Sequence, residues 1–153
     1  MIQLLNIQKP EIAQNVWNLQ QVSYQEEAKL IDFKNIPYLL ESIEDLRKAK
    51  ESFLGFFKEE NLIGMLAYEK AKNNLEINRL VVHPIAFRQG IASNLLTHLL
   101  THETHSTNFQ VNTAKANFPA IRLYQKFDFE IVQEYVVENI LDMVLMNLAI
   151  VKK

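Results

Sequence analysis

The stretch HPIAFRQGIASNLL, residues 83–96, has the clearest chemical reading in this chain. Pro84 ends an apolar strand, Gly90 precedes an amphipathic helix, and the turn between them leads straight into a helix N-terminus. Successive amides in such a loop point together, and the helix dipole adds about half a positive charge, so the turn suits a phosphate or pyrophosphate. A single glycine lets the guest approach the backbone closely. The three-glycine dinucleotide fingerprint and the lysine-bearing phosphate loop are both absent, so the turn alone does not say which phosphate it holds.

The strand before the turn is irregular. In LEINRLVV the apolar residues occupy odd positions, Leu75 and Ile77, then even positions, Leu80 and Val82, with Arg79 and Val81 between them. A strand keeps a period of two, so the change of parity predicts one extra residue, a β-bulge, at about Arg79 or Leu80. A bulge bends the strand and frees backbone groups to pair with an extended guest. An incidental break in a strand buried on both faces gives the same letters. His98, His102 and His105, four and three apart, have spacing compatible with a metal. HETH misses the H-E-x-x-H pattern by one residue, and histidines at a helix end favour the C-terminal dipole, so no metal is expected.

These segments need a scaffold, and the periodicities supply one. Residues 2–7 read as a strand and residues 11–29 as a helix with Ile12, Val16 and Leu19 inward. A second helix starts at Pro37 and runs through residue 48 with Leu40, Ile43 and Leu46 inward. SFLGFF, LIGMLAYE and LEINRLVV form an antiparallel meander joined by the polar clusters KEEN and KNN. Residues 90–102 form an amphipathic helix, FQVNT a strand, Asn117 to Phe127 a further helix, and residues 129–148 a final hairpin. The order is β-α-α-β-β-β-α-β-α-β-β, an α/β (α+β) arrangement.

The chain has 153 residues and no Pro/Gly/Ser-rich linker, which predicts one domain over residues 1–153. The absence of cysteine excludes a disulfide framework, a thiolate metal site and a cysteine nucleophile. A net charge of -2 with dispersed lysines and arginines leaves no footprint for nucleic acid. The N-terminus lacks a cationic region and a long apolar run, and ILDMVLMNLAIV is interrupted by Asp142 and Asn147. No membrane association is expected, and a cytoplasmic location is.

RLVVHPIAFRQGIASNLL and NFPAIRLYQKFDF together resemble the GNAT superfamily of acyl-coenzyme A N-acyltransferases. The first is similar to that family's R/Q-x-x-G-x-G/A motif, the second to its N-x-x-A-x-x-x-Y-x-x-x-G-F motif. Two positions depart from the pattern: Phe87 stands where the family has Gln or Arg, and Asp128 stands where it has glycine. Aspartate tolerates left-handed backbone geometry better than most residues, so the second turn is expected to persist.

The resemblance implies a mixed, largely antiparallel sheet splayed between its fourth and fifth strands to admit acetyl-coenzyme A. It implies that Leu80, Val81 and Val82 meet the pantetheine arm and that Arg88, Gln89, Gly90, Ile91, Ala92 and Ser93 meet the pyrophosphate. Asn117 matches the family's asparagine near the cofactor, and equally reads as a cap for the helix that Pro119 helps to begin. The implied activity is direct transfer of acetyl to a primary amine of a small molecule or peptide. A lysine-like amine, with a pKa of about 10, must lose a proton before it attacks. Glu76 matches the family's base, and Tyr124 its acid for the departing thiolate. The alternative is a non-catalytic acyl-coenzyme A-binding regulatory module. Residues 29–37 and 135–142 are implied to choose the acceptor. Glu26, Glu27, Asp32, Glu41 and Glu44 suit a cationic amine or simply a solvated helix face. Pairing through the final hairpin makes a homodimer an expectation.

Overall fold

The computed structural model describes residues 1–150, so the last three residues of the expected 1–153 unit lie outside the described residues. Ile2–Leu5 is a short edge strand, β1. Pro10 then starts the 22-residue helix α1 (Pro10–Ile31), where its fixed φ suits the first turn. Ala13, Val16, Leu19, Tyr24 and Ile31 form the buried stripe of α1, and Asp32 ends it in the left-handed region at φ 53°.

The single helix expected from Pro37 to residue 48 is instead two, α2 (Pro37–Leu40) and α3 (Ile43–Arg47). Glu41 breaks the run with an extended ψ of 132°. Its carbonyl accepts from the Trp17 indole at 3.0 Å rather than from the next helical turn, and its carboxylate is taken by Arg79. Ser42 then restarts the helix by accepting the Asp45 amide at 3.0 Å, as an N-cap does.

Strands β2 (Ser52–Lys58), β3 (Asn61–Ala71) and β4 (Asn74–Val82) form the expected antiparallel meander. Helix α4 (Ile91–His102) crosses to β5 (Asn108–Ala114), which runs parallel to β4. Helix α5 (Phe118–Lys126) leads into the hairpin of β6 (Glu130–Val137) and β7 (Leu141–Ala149). The sheet order is β1-β2-β3-β4-β5-β7-β6, mixed and largely antiparallel as expected. Among the described residues no helix is long and apolar enough to cross a membrane.

Each face of the sheet buries its own core. On one face Leu66, Leu75, Ile77, Phe109 and Met146 meet Leu95, Leu96 and Leu99 of α4 and Tyr124 of α5. On the other, Phe53, Met65 and Val81 meet Val16 and Leu19 of α1 and Leu46 of α3. Gly64 sets how closely α4 approaches, since a Cβ there would come within 2.6 Å of Ile91.

Two features shape the site. The β3–β4 ladder slips so that Ala67 opposes Arg79 while Tyr68 opposes Ile77, which leaves Asn78 as the extra residue of a bulge. The bulge falls one residue before the expected place. The apolar letters mark where the face resumes, with Leu80 and Val82 rejoining Leu75 and Ile77 on the α4 side, and not the extra residue itself. The second feature is the splay. Residues 74–77 of β4 pair with residues 108–111 of β5, and β4 then runs on to Val82 with no strand on that side.

At the end of α5 the departure at Asp128 is accommodated. Its φ of 69° lies in the left-handed region, and the Phe129 amide bonds back to the Tyr124 carbonyl at 3.0 Å. Replacing Asp128 by glycine should raise the unfolding free energy by about 0.5–1 kcal/mol in urea titrations, because glycine adopts this φ without a Cβ penalty. An unchanged or lower midpoint would show that the aspartate is not strained there.

Candidate active site

A cavity of about 880 Å³ occupies the splay, bounded by β4, the turn before α4, β5, α5 and the C-terminal half of α1. The turn at its base is built in three steps. Pro84–Ala86 makes one 3-10 turn, Phe87 is extended, and Arg88 and Gly90 both lie in the left-handed region at φ 66° and 76°. Gly90 is the N-cap of α4 and its carbonyl accepts the Asn94 amide at 2.9 Å. The amides of Ile91, Ala92 and Ser93 therefore have no partner within the helix. A Cβ at Gly90 would meet nothing within 4 Å, so the residue is needed for its backbone angle and the space before it is open. Arg88, Gly90, Ile91, Ala92 and Ser93 line the cavity, joined by Arg122 and Lys126 of α5.

The edge of β4 forms one wall. The His83 amide donates to the Ile63 carbonyl of β3 at 2.8 Å. Backbone groups alternate along a strand, so those of Val82 and Leu80 turn away from β3 into the splay. Val81 points its backbone toward β3 and buries its side chain against α1. Leu80 and Val82 line the cavity; Val81, Gln89 and Glu76 do not. Glu76 is exposed and lies within the short parallel seam, opposite Gln110 of β5 and Glu69 of β3.

Helix α5 contributes the opposite wall. Asn117 caps it by accepting the Ala120 amide at 3.3 Å, and its own Nδ2 donates to Glu27 of α1 at 3.0 Å. Burial raises the Glu27 carboxyl pKa above its ordinary value, and the bond from Asn117 offsets part of that rise. Tyr124 is buried, with its ring 5.3 Å from that of Phe129. Burial first, and the charge of Glu27 second, push its phenol well above the ordinary 10. Tyr124 is thus held neutral and available as a hydrogen-bond donor.

Sequence reasoning missed one thing here and left a second undecided. Arg79 is a hub whose guanidinium donates to Glu41 at 2.7 and 3.1 Å, to Glu51 at 2.7 and 3.0 Å, and to Gln20 at 2.8 Å. Burial alone would lower its pKa, but the bonds to Glu51 and Glu41 outweigh it and hold the charge in place. The second is Glu27. Of the five acidic residues noted in this region, Glu41 belongs to Arg79, Glu44 pairs with Arg47 and Glu26 with Lys29, each of the latter at 3.3 Å. Asp32 is the C-cap of α1, which leaves Glu27 facing the cavity. No local pattern marks it, because its partner lies 90 positions away. The histidines of α4 sit apart from the cavity, His98 and His102 stacked at 3.9 Å.

Comparison with known proteins adds to this geometry. The chain is similar to the UPF0157 protein YqkA of Bacillus subtilis (strain 168), 38% identical over 130 residues that make up 85% of this chain. The chain spans 38% of the length of that curated relative. Its fold is similar to that of the ribosomal-protein-S18-alanine N-acetyltransferase of Escherichia coli, with a TM-score of 0.79 at 15% identity, covering 100% of this chain and 95% of that one. It is similar again to the PaiA N-acetyltransferase of Thermoplasma acidophilum in complex with coenzyme A, with a TM-score of 0.77 at 17% identity, covering 97% and 99%. The profile of the acetyltransferase (GNAT) family matches residues 13–129, from the buried stripe of α1 through the splay and the turn before α4 to just past α5, and the chain belongs to that family.

Proposed function

We propose that the protein transfers the acetyl group of acetyl-coenzyme A directly to a primary amine of a small molecule or peptide. One observation carries this reading: a free backbone edge on β4 and the helix start of α4, with its unpaired amides, open into the same cavity. An extended amide-bearing arm suits the edge at Leu80 and Val82, as an added strand would. A pyrophosphate suits the amides of residues 90–93, with Arg88, Arg122 and Lys126 supplying positive charge nearby. Gln89 and Val81 support this turn and strand through their backbone positions. Asn117 braces the opposite wall.

Tyr124 is the donor for the sulfur of the leaving thiolate. Its raised pKa suits hydrogen bonding from a neutral phenol, so its value lies in holding the developing negative charge. Tyr124→Phe should lower kcat by about 10²-fold, the scale of a lost proton donor, while the Kd for acetyl-coenzyme A stays within about threefold. Equal loss of turnover and affinity would contradict the role.

The exposure of Glu76 outside the cavity favours a second reading, an acyl-coenzyme A-binding regulatory module without a base at that position. Two measurements separate the readings: calorimetric titration with acetyl-coenzyme A, and thiol release in the presence of an amine panel. Binding with turnover supports the transferase, binding without turnover supports the module, and no binding removes both.

A further inference from the structure

We propose that Glu27, on α1, is the carboxylate that receives the acceptor amine, and that the acceptor is a singly charged amine with an apolar body. The proposal rests on the acetyl-transfer reading above and names the substrate class for the same cavity. Its first support is position. Glu27 lines the cavity beside the splay, where α1 faces α5, and Asn117 fixes its carboxylate from across that gap at 3.0 Å. Tyr124 lies two turns further along α5 and feels its charge, so proposed base and proposed donor converge from opposite walls. Among the described residues Glu27 forms no ion pair, whereas the other lining carboxylate, Glu26, is bridged to Lys29. A partly buried carboxylate without a cation is the place where an arriving ammonium gains most.

The surroundings define the rest of the acceptor. Leu30 and Ile31, the next turn of α1 after Glu27, line the cavity with Phe33, Ile36, Tyr38 and Met143, and all of these but Leu30 cluster with Tyr24 and Ala28 on either side of Glu27. Arg79, which also lines the cavity, is saturated by Glu41 and Glu51. Tyr24 and Tyr124, the phenols that feel Glu27, are both held neutral by burial. Arg88, Arg122 and Lys126 belong to the phosphate turn and α5. One carboxylate free of a cation beside apolar walls matches one ammonium on an apolar body, and a second ammonium would meet no second such carboxylate among the described lining residues.

The transfer then balances as follows. The ammonium gives its first proton to Glu27, which frees the nitrogen lone pair. That pair forms the N–C bond at the thioester carbonyl, and the C–S bond breaks with its electrons leaving on sulfur. The second proton leaves nitrogen, the thiolate takes up one proton, and the products are an amide, a thiol and one released proton.

The pKa direction gives a control that separates chemistry from scaffolding. The folded-state pKa of Glu27 lies above its unfolded value, so the folded protein binds this proton more tightly. Stability from this group is present below the unfolded pKa and falls as pH rises to the folded one, so a charged Glu27 at pH 7 costs stability. Glu27→Gln keeps an oxygen for Asn117 and removes that cost.

The test measures thiol release with acetyl-coenzyme A and either 2-phenylethylamine, hexylamine or spermidine, on wild type and Glu27→Gln, with melting temperatures and acetyl-coenzyme A titrations alongside. We expect the two monoamines to exceed spermidine at least about tenfold in kcat/KM, the scale of a difference in pocket contacts. Glu27→Gln should lower kcat/KM for the monoamines by about 10²-fold, the scale of a lost general base, with unchanged acetyl-coenzyme A affinity and an unchanged or higher melting temperature at pH 7. A variant within about threefold of wild type, a loss matched by a fall in melting temperature, or a preference for spermidine overturns the proposal. So does binding of acetyl-coenzyme A by wild type with turnover of neither monoamine. Failure of wild type to bind acetyl-coenzyme A at all is the different result that removes the transfer reading and this proposal with it.

Discussion

Arg79→Ala should lower the unfolding free energy by about 3–5 kcal/mol in urea or guanidinium titrations, the scale of breaking a buried ion pair from one side. Arg79 is 3% exposed, and its bonds run to two carboxylates that are themselves nearly enclosed. Removing it strands Glu41 and Glu51, and the cost comes from those orphaned charges more than from the lost attraction. Its guanidinium also lies 4.1 Å from the centre of the Tyr38 ring, so the same change unfastens α2 from β4. Arg79→Lys should recover only part of the loss, because an ammonium cannot serve both carboxylates and Gln20 with fork geometry. A loss under about 1 kcal/mol for the alanine variant would mean that solvent reaches both carboxylates, as it does for surface pairs. The extended Glu41 would then need another cause.

Gly90→Glu should weaken acetyl-coenzyme A binding by at least about 10²-fold while the protein stays folded. The new side chain meets open space, so the fold bears only the φ penalty of roughly 1 kcal/mol for a Cβ in the left-handed region. The carboxylate, however, lies where the amides of residues 91–93 are free. At about 4 Å from a phosphate, with the effective dielectric of a protein surface, the repulsion is on the order of 4 kcal/mol. Gly90→Ala separates the two effects, since it carries the backbone penalty without the charge. Calorimetry showing unchanged affinity for Gly90→Glu would take the pyrophosphate off this turn altogether.

What the sequence made legible depended on range. The turn before α4, the cap at Asn117 and the left-handed Asp128 are decided within a few residues, and the backbone of each stands where the local pattern placed it. The bulge was visible because it shifts apolar parity, yet it was read one residue late, since letters report the buried face and not the unpaired residue. The break between α2 and α3 was invisible. Leu40, Ile43 and Leu46 keep near-helical spacing across it, and what interrupts them is a carboxylate committed to Arg79, 38 positions away. Glu27 was named among five acidic residues, but what sets it apart from the other four, its bond to Asn117, is equally remote in sequence. Glu76 shows the converse limit: a motif can fix its place on β4 but not whether that place opens into the cavity.

The splay also bears on how the molecule avoids unwanted company. A row of unpaired backbone amides and carbonyls on an outer strand templates aggregation, and proteins usually guard such rows with charge, proline or short length. Residues 78–82 of β4 carry such a row, with Leu80 and Val82 beside it rather than lysine. Here the guard is location: the row lies inside a cleft between α1 and α5, a place suited to a slender extended molecule and closed to the side-by-side stacking that seeds fibres. The backbone stays ready for pairing, and the surrounding walls, not its own side chains, decide with what.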